Sequence, residues 1–398
     1  MANLKPYYTS NDLIEAVKRK MAFPIAQVTF NEQEILNFAN EEMYLAQVPS
    51  IMQFHEEYLV HEMIIPLVAN KSKYPIPSRA IGMKLRNVQY DDGNNNYYEM
   101  SKINPDDKGY FGGGLNNGGA PYHYYLQSNN IVVTPGIGSQ VNGSMRITYF
   151  LRPNALVPNE RAAIATSFSK VITVDNTTLV PGNTVTIGSV VLTAGVQFDI
   201  GATSSVTAAN LADYVSANMP ETSAVANGTM ITVNYPLLAT TFGTSNALAF
   251  NIQSDISIQF DQVPANITGG SLIDFIQTDG GHSTLALDVK VGLGTVGPGA
   301  VTFPVNVIPA DFTVGDYICT AYECIIPQVP SDLHNLLAER TCARLLESLG
   351  DTAGLNAANT KIKELEFSQG VILDNRVDGS PLKVFNRNSL LRGSRGRF

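Results

Sequence analysis

The sequence predicts an α+β protein, in which a helical bundle from the two chain ends frames a β-rich middle. Apolar residues recur at helical spacing near both ends, and strand-like runs separated by turn residues fill the middle. Residues 171–339 hold one basic residue, Lys290, and 14 acidic ones, whereas the whole chain of 398 residues carries a net charge of −9. This change of composition predicts two kinds of structure in one chain.

The helix signals at the N-terminal end are well marked. Thr9 or Ser10 can cap a first helix, which Pro24 stops. A second helix is predicted to begin at Asn31, because Asn31 and Glu34 have the spacing of a capping box. Apolar residues follow both caps at helical spacing, so both helices are expected to bury one face.

The second helix is predicted to end near Val48, because a residue before proline is disfavoured in helical geometry, and a short helical turn follows at 50–55. From Tyr58 onward the pattern changes to short strands separated by turn residues. Residues 109–119 are Gly-rich and predict a long loop. The predicted strands are 59–68, 83–90, 97–101, 123–126, 131–134 and 145–151.

Residues 171–255 are predicted to form a small ββαββ module inserted into the β-rich middle. Two strand-like segments flank a Gly-Ser turn, which favours a hairpin. The predicted elements are strands 184–187, 190–193, 230–235 and 247–252, and helix 208–218. Such an insertion destabilises its host little if its two ends lie close together at a surface turn.

A weak internal repeat follows the module and predicts two similar β arches within 256–330. The two copies share a Pro-Ala pair and the spacing of the residues behind it. The matched residues are Val263, Pro264, Ala265, Thr268, Gly270 and Ile273 in the first copy, and Ile308, Pro309, Ala310, Thr313, Gly315 and Ile318 in the second.

The C-terminal part returns to helix. Ser331 can cap a helix that ends at Gly350, and a second helix is predicted to stop at Gly370. Apolar residues in the second helix are spaced 3, 4 and 3 apart, which is typical of an a/d seam. We expect this seam to pack between subunits through Leu355, Ala358, Ile362 and Leu365.

The final segment differs in composition from the rest. Residues 376–398 hold six basic residues and one acidic residue, Asp378, with apolar residues interleaved. This pattern favours an extended peptide that docks on a protein, with arginines meeting acidic groups. The alternatives are binding to nucleic acid and a solvated, disordered end. The predicted docking residues are Arg376, Leu382, Val384, Phe385, Arg387, Leu390, Leu391, Arg392, Arg395, Arg397 and Phe398.

Six parts are therefore predicted along the chain. They are the N-terminal bundle helices 1–57, a β-rich region 58–170, the module 171–255, a β-rich region 256–330, a C-terminal helical hairpin 331–370 and a basic-apolar docking tail 371–398.

The sequence carries no recognisable catalytic or cofactor motif. His55 and His61 are six residues apart, whereas a zincin helix needs a spacing of four. Residues 109–114 are Gly-rich but lack the Gly-Lys-Ser/Thr ending of a P-loop. We therefore predict no enzyme, no cofactor and no metal. A last candidate zinc set fits no common spacing: Cys319, Cys324, His334 and Cys342.

Composition bounds the protein class further. No apolar run reaches the roughly 18 residues of a transmembrane helix, and the N-terminus lacks the apolar core of a signal peptide. Three cysteines without a CxxC pair predict reduced thiols, consistent with folding in cytoplasm. A net charge of −9 argues against the whole protein clamping nucleic acid.

Both chain ends resemble head–tail adaptor (neck ring) proteins of tailed bacteriophages, in particular those of crAss-like podovirus-type phages. The resemblance covers roughly half of the chain and lies in the order and spacing of short segments. At the N-terminal end these are Asp12-Leu13-Ile14, Thr29-Phe30, 36–43, Val48-Pro49, 66–70, 74–77 and 79–82. At the C-terminal end they are 327–330, His334, 336–338, Leu349-Gly350-Asp351, 374–376 and 381–384.

The resemblance implies a ring, commonly of twelve subunits, seated beneath the portal protein and above downstream neck or tail ring proteins. It implies a helical bundle with a β part, a C-terminal segment that enters the portal, and a channel for transient, non-specific passage of double-stranded DNA. A net-negative protein suits such a channel, because repulsion keeps DNA from sticking. The virion neck is the expected location, with assembly in the host cytoplasm and no membrane partner.

Three functions are weighed. The first is a structural connector that joins portal to tail. The second is a tail, collar or baseplate protein whose 171–255 module binds another virion protein or a host glycan. The third, a particle-borne hydrolase, has no carboxylate pair to support it. Channel-lining residues are not evident from sequence, and the Gly-rich loop 109–119 is the candidate.

Overall fold

The computed structural model describes residues 8–21, 30–54, 56–94, 96–107, 121–134, 143–278 and 283–372. These residues form two compact units. One comprises the described residues up to Gln47 together with Pro153–Ile362, and the other comprises Val48–Arg152 together with the described residues from Lys363 on. Helices lie at both ends and strands fill the middle, so the predicted α+β class is confirmed.

The elements of the described residues are numbered in chain order. The helices are α1 (Ser10–Lys20), α2 (Glu32–Glu42), α3 (Val48–Phe54), α4 (Ser204–Asn218), α5 (His334–Leu349) and α6 (Thr352–Ile372). The strands are β1 (Val60–Pro66), β2 (Lys73–Pro75), β3 (Ala80–Asp91), β4 (Tyr97–Glu99), β5 (Ser101–Lys102), β6 (His123–Gln127), β7 (Asn130–Thr134), β8 (Ser144–Leu151), β9 (Ala155–Leu156), β10 (Ala162–Val174), β11 (Thr184–Ile187), β12 (Val190–Thr193), β13 (Ser223–Asn227), β14 (Met230–Tyr235), β15 (Phe242–Thr244), β16 (Phe250–Ile252), β17 (Ile256–Phe260), β18 (Leu272–Ile276), β19 (Thr284–Lys290), β20 (Val296–Gly297), β21 (Ala300–Phe303), β22 (Tyr317–Thr320) and β23 (Glu323–Cys324).

The first two helices begin at side-chain caps, as predicted. Thr9 caps α1 and forms a capping box with Asp12, and Asn31 forms the predicted capping box with Glu34 at the start of α2. Each helix buries its apolar face, and both pack on α5 from the other end of the chain. The chain ends therefore form one helical bundle.

The predicted end of α2 near Val48 is wrong. The helix continues through a π-helical turn, Met43–Gln47, directly into α3, where Pro49 is the second residue. The first residues of an α-helical segment need no intrahelical donor, so proline is tolerated there. The π turn places Pro49 at such a start, which the local rule for proline cannot anticipate.

The second unit contains two four-stranded sheets. Their strand orders are β1-β8-β3-β4 and β2-β7-β6-β5. One apolar cluster draws side chains from both sheets, including Tyr74, Ile131, Met145, Ile147 and Tyr149. The strands predicted between Tyr58 and Phe150 are all present with shifted ends, and the predicted strand 97–101 is divided between β4 and β5.

The first unit contains one large sheet whose strands all contribute to a single apolar core, and we call this part of the unit the barrel. Its strands follow the order β19, β18, β22, β10, β17, β21 and β20. The two end strands of this order, β19 and β20, follow each other directly along the chain. The core of the barrel is aromatic and includes Phe168, Phe275, Phe303 and Phe312.

The two segments of the sequence repeat adopt the same arch within this barrel. Each arch has a backbone turn after its proline, a second turn after its threonine, and a glycine at positive φ. The first arch links β17 to β18 and the second links β21 to β22. The matching bonds are Ile267 N to Pro264 O (2.9 Å) and Phe312 N to Pro309 O (3.1 Å), then Ser271 N to Thr268 O (3.0 Å) and Asp316 N to Thr313 O (3.1 Å).

The equivalence extends to the neighbouring strands and gives the barrel a pseudo-two-fold axis. Gly270 N donates to Val291 O at 2.8 Å, and Gly315 N donates to Ala165 O at 2.9 Å. β19 therefore pairs with β18 in the same way as β10 pairs with β22. Two register pairs join equivalent residues of the two arches and mark the axis: Ser257 with Thr302, and Asp274 with Cys319.

Residues between the end of β10 and β17 have an apolar core of their own. Ile172, Val185, Leu211, Ile231 and Phe250 are among its buried members. The predicted hairpin is confirmed, since β11 and β12 pair around Gly188 with φ 60°. α4 starts four residues before the predicted helix, at its Thr203 cap. β13 and β15 are additional strands. β14 and β16 pair with the long strand β10, which the segment shares with the barrel.

The C-terminal helices follow a short 3₁₀ turn, Ser331–Leu333. α5 ends at Gly350, as predicted, and Gly350 has a φ of 73°, the left-handed conformation common at helix C-termini. The predicted stop at Gly370 is wrong, because α6 continues through it to Ile372. Glycine lowers helix propensity without forbidding helix, so its presence alone does not end one.

Candidate functional site

Ion pairs join the helices from the two chain ends. Glu42 on α2 accepts from Arg344 on α5 at 2.6 Å and lies 3.6 Å from Arg340. Glu339 on α5 is paired with Lys20 on α1 and, at 2.9 Å, with Lys361 on α6. Glu42 and Glu339 are both buried, so loss of a cationic partner would leave a poorly solvated carboxylate.

His334 fixes the entry of α5 into this bundle. Its Nδ1 accepts a hydrogen bond from the Tyr8 amide at 3.1 Å, and its Nε2 lies 3.1 Å from the Pro327 and Val329 carbonyl oxygens. Burial lowers the pKa of His334 below its ordinary value. The neutral ring with the proton on Nε2 satisfies all three contacts.

The predicted subunit seam lies along α6. Ala358 and Ile362 are buried, and Leu355 and Leu365 are half-buried. The outer side of the same helix carries Phe367, which is 82% exposed. Two seam positions are therefore already covered within the chain, and contact between subunits through the seam stays a prediction.

The predicted docking tail lies outside the described residues. All eleven of its named positions, from Arg376 to Phe398, follow Ile372, which is the last described residue. The Gly-rich loop 109–119 and His55 also lie outside.

The candidate metal and thiol residues are held by other contacts. The Cys324 thiol forms hydrogen bonds with the Tyr317 hydroxyl at 3.0 Å and with the Ile326 carbonyl oxygen at 2.7 Å. Burial raises the pKa of Cys324 to about 12 and that of Cys342 to about 11, so both thiols are protonated at neutral pH. Within the described part of the chain, no three His, Cys, Asp or Glu residues are grouped to hold a metal ion.

Along the described residues, no helix combines the length and apolar composition needed to span a bilayer. The features that stand out are thus a bundle from the two chain ends, a β sandwich and a barrel with an inserted segment.

The comparison with known families bears on the first part of this arrangement. Residues 8–172 match the SU10 adaptor protein family. Over that stretch the chain is similar to phage adaptors, which are structural proteins of the virion and not enzymes. No curated protein matches the chain significantly.

The SU10 adaptor match spans α1 to α3, the sandwich of the second unit and most of β10. The two arches and the segment between β10 and β17 lie beyond it. Sequence reasoning missed the exposed side chains of that later part. Alternating patterns mark a strand's two faces but do not show which strands lie at a sheet edge.

Proposed function

We propose that the protein is the head–tail adaptor of a tailed phage of crAss-like podovirus type. In this role twelve copies form a ring that joins the portal to downstream neck or tail ring proteins. The observation that carries this function is the SU10 adaptor match over residues 8–172. The ring would sit in the virion neck and leave part of the channel for genome ejection, after assembly in the host cytoplasm.

Charge supports a channel role. The net charge is −9, and the stretch 171–339 holds a single basic residue. Surfaces of this kind repel the phosphate backbone, so DNA would pass without binding. Passage would be transient and independent of sequence.

Two parts of the chain are assigned to assembly. The α6 seam packs between subunits, and the eleven tail residues from Arg376 to Phe398 dock on the portal. Support for the tail is its composition, with six basic residues against one acid and apolar residues between them. Arginines in an extended segment can pair with acidic groups of a groove while the apolar residues bury.

The test is native mass spectrometry and negative-stain imaging of the purified chain, alone and with the portal of its own phage. A ring of about twelve copies, formed alone or on the portal, is the expected result. A truncation after Ile372, the end of α6, should leave the subunit folded but abolish its binding to the portal. A stable monomer or trimer indifferent to portal would contradict the adaptor role.

A second candidate is a tail, collar or baseplate protein whose inserted segment binds another virion protein or a host glycan. The observation that favours it is the separate apolar core of that segment, which lies beyond the SU10 adaptor match. Removal of the segment distinguishes the two. An adaptor keeps its ring and its portal contact, whereas the second candidate keeps its oligomeric state and loses its binding activity.

A further inference from the structure

We propose that the inserted segment, residues 171–255, is a docking module for another virion protein that presents aliphatic and cationic side chains. The module belongs to the first unit, and its ends lie together on the barrel, where Ser169 and Ser257 are register partners. This inference rests on the proposed virion role and goes further by choosing the chemistry of the partner.

The module exposes large apolar side chains in addition to those that it buries in its own core. Nine of its large apolar side chains are exposed, although the module buries a complete core. Three of them, Val180, Val191 and Val196, lie on or next to β12, and we call them the β12 patch. Val190 is left out, because it lies on the face of β12 opposite to Val191. Val180 and Val196 are 55% and 75% exposed. An apolar cluster of this kind on a charge-poor surface is typical of a protein contact.

A backbone hydrogen bond ties together the loops that carry Val180 and Val196. Gly182 N donates to Ala194 O at 3.0 Å, which brings the residues after Val180 beside those before Val196. Thr193 N, on the outer edge of β12, donates to the Gln197 side chain at 2.7 Å. The module's own side chain thus occupies an edge donor, so the patch would bind through side chains rather than by strand addition.

The charges of the module select a cationic partner. Residues 171–255 contain no lysine or arginine and five acidic residues, all exposed: Asp175, Asp199, Asp213, Glu221 and Asp255. None of these carboxylates forms an ion pair with a described lysine or arginine. Two modules would repel each other, and DNA would be repelled by either.

Other occupants fit less well. Sugar rings stack on exposed aromatic faces, but the aromatic side chains of the module are buried or half-buried: Phe198, Tyr214, Tyr235, Phe242 and Phe250. A second copy of the chain carries a net charge of −9, so long-range electrostatics disfavours it as the partner of an acidic module. A different protein is therefore the occupant that the charges favour.

The first test is zero-length carbodiimide cross-linking of intact virions, followed by mass spectrometry. This reagent joins carboxylates to lysine amines, and the module supplies only carboxylates. We expect Asp175 or Asp199 to be joined to lysines of one other virion protein. Links only to lysines of this chain would identify a second copy as the occupant and overturn the proposal, and so would the absence of links.

The second test uses the partner identified in this way and two matched variants. Val191 is 51% exposed on the β12 patch, and Val305 is 52% exposed on the barrel outside the module. Val191→Asp should weaken binding by about tenfold or more, because it places a charge in an apolar contact, whereas Val305→Asp should change affinity less than about twofold. Equal affinities would overturn the proposal.

The two proposals can fail separately. Ring formation and portal binding are measured on the same Val191→Asp sample, whose thermal midpoint must match that of Val305→Asp. Loss of partner binding with an intact ring supports the docking module on an adaptor. Cross-links to another virion protein from a chain that forms no ring would overturn the adaptor role and leave the docking module standing.

Discussion

The two halves of the barrel differ in one connection. In the second half, the Thr302 amide donates a hydrogen bond to the Thr295 carbonyl oxygen at 2.9 Å, and the hairpin between these residues turns at Pro298-Gly299. In the first half the equivalent residues are Ser169 and Ser257, and residues 172–254 stand where Pro298-Gly299 would be. The two pseudo-symmetric halves therefore show the same connection once as a tight hairpin and once with an inserted module.

This difference teaches how a barrel accommodates a connection of 83 residues in place of two without losing its pattern. The two strand ends are already adjacent, so an insertion leaves the ladder between them intact. The entropic cost of a longer connection grows only with the logarithm of its length. The inserted module also adds strands β14 and β16 on opposite sides of the last part of β10, which extends the sheet rather than interrupting it.

Replacing residues 172–254 with Pro-Gly tests the comparison most strongly. We expect a folded barrel whose calorimetric unfolding enthalpy is lower by about 60 kcal/mol, from roughly 0.7 kcal/mol for each residue removed. Tyr235, which packs in the barrel core, is lost with the module, so the midpoint should also fall. A variant that fails to fold would show that the two halves are not equivalent.

Substitution at the axis pair, Asp274 and Cys319, should give the next largest effect on stability. Asp274 is buried and accepts from Asn154 Nδ2 at 2.8 Å and from the Asp288 amide at 3.0 Å. Asp274→Ala should lower the free energy of unfolding by about 3–5 kcal/mol, because buried donors lose their acceptor. Cys319→Ala should cost about 1 kcal/mol. Urea unfolding compares the two, and equal losses would contradict the assigned roles.

The arch glycines test the equivalence at a smaller scale. Gly270 and Gly315 have φ of 94° and 97°, and a Cβ at either meets no atom closer than 3.9 Å. Gly→Ala should therefore cost about 1–2 kcal/mol at each site through backbone strain alone. Gly243, a strand residue without positive φ, is the control, and Gly243→Ala should change stability by less than about 0.5 kcal/mol. Unequal costs at the two arches would break the symmetry.

A pH titration tests the helical bundle rather than the barrel, because His334 lies in the bundle. Burial lowers the pKa of His334 below its ordinary value of 6.5, so the folded state binds this proton less readily than the unfolded state. Stability from the neutral ring is present above pH 6.5 and is lost as pH falls below it. His334→Gln should flatten the dependence of the urea midpoint on pH in this range. An unchanged slope would contradict the role of the ring.

Local signals in the sequence predicted much of this fold. The capping box of Asn31, the hairpin around Gly188 and the helix end at Gly350 each depend on a few neighbouring residues, and all three are confirmed. The end of α2 near Val48 was wrong because a π turn reset the helix ahead of Pro49. β13 was missed because its short, Ala-rich sequence becomes a strand only by pairing with β14.

The candidate sites were less accessible to sequence reasoning. The composition of 171–255 was visible, but exposure of the β12 patch depends on which strands lie at an edge, which is a long-range property. The α6 seam was correctly placed on a helix, although Ala358 and Ile362 proved to be covered within the chain. Its role between subunits, and that of the tail, stay predictions.

The 13 residues of β10 also have a mechanical consequence. One continuous strand serves the barrel at its start and the module at its end, with hydrogen-bonded neighbours on both sides. A pull on the module along this strand would load the ladder in shear, so many hydrogen bonds would resist together rather than opening one at a time. We expect single-molecule pulling to show a high rupture force in this direction and a low one when the same sheet is peeled from the β13 edge.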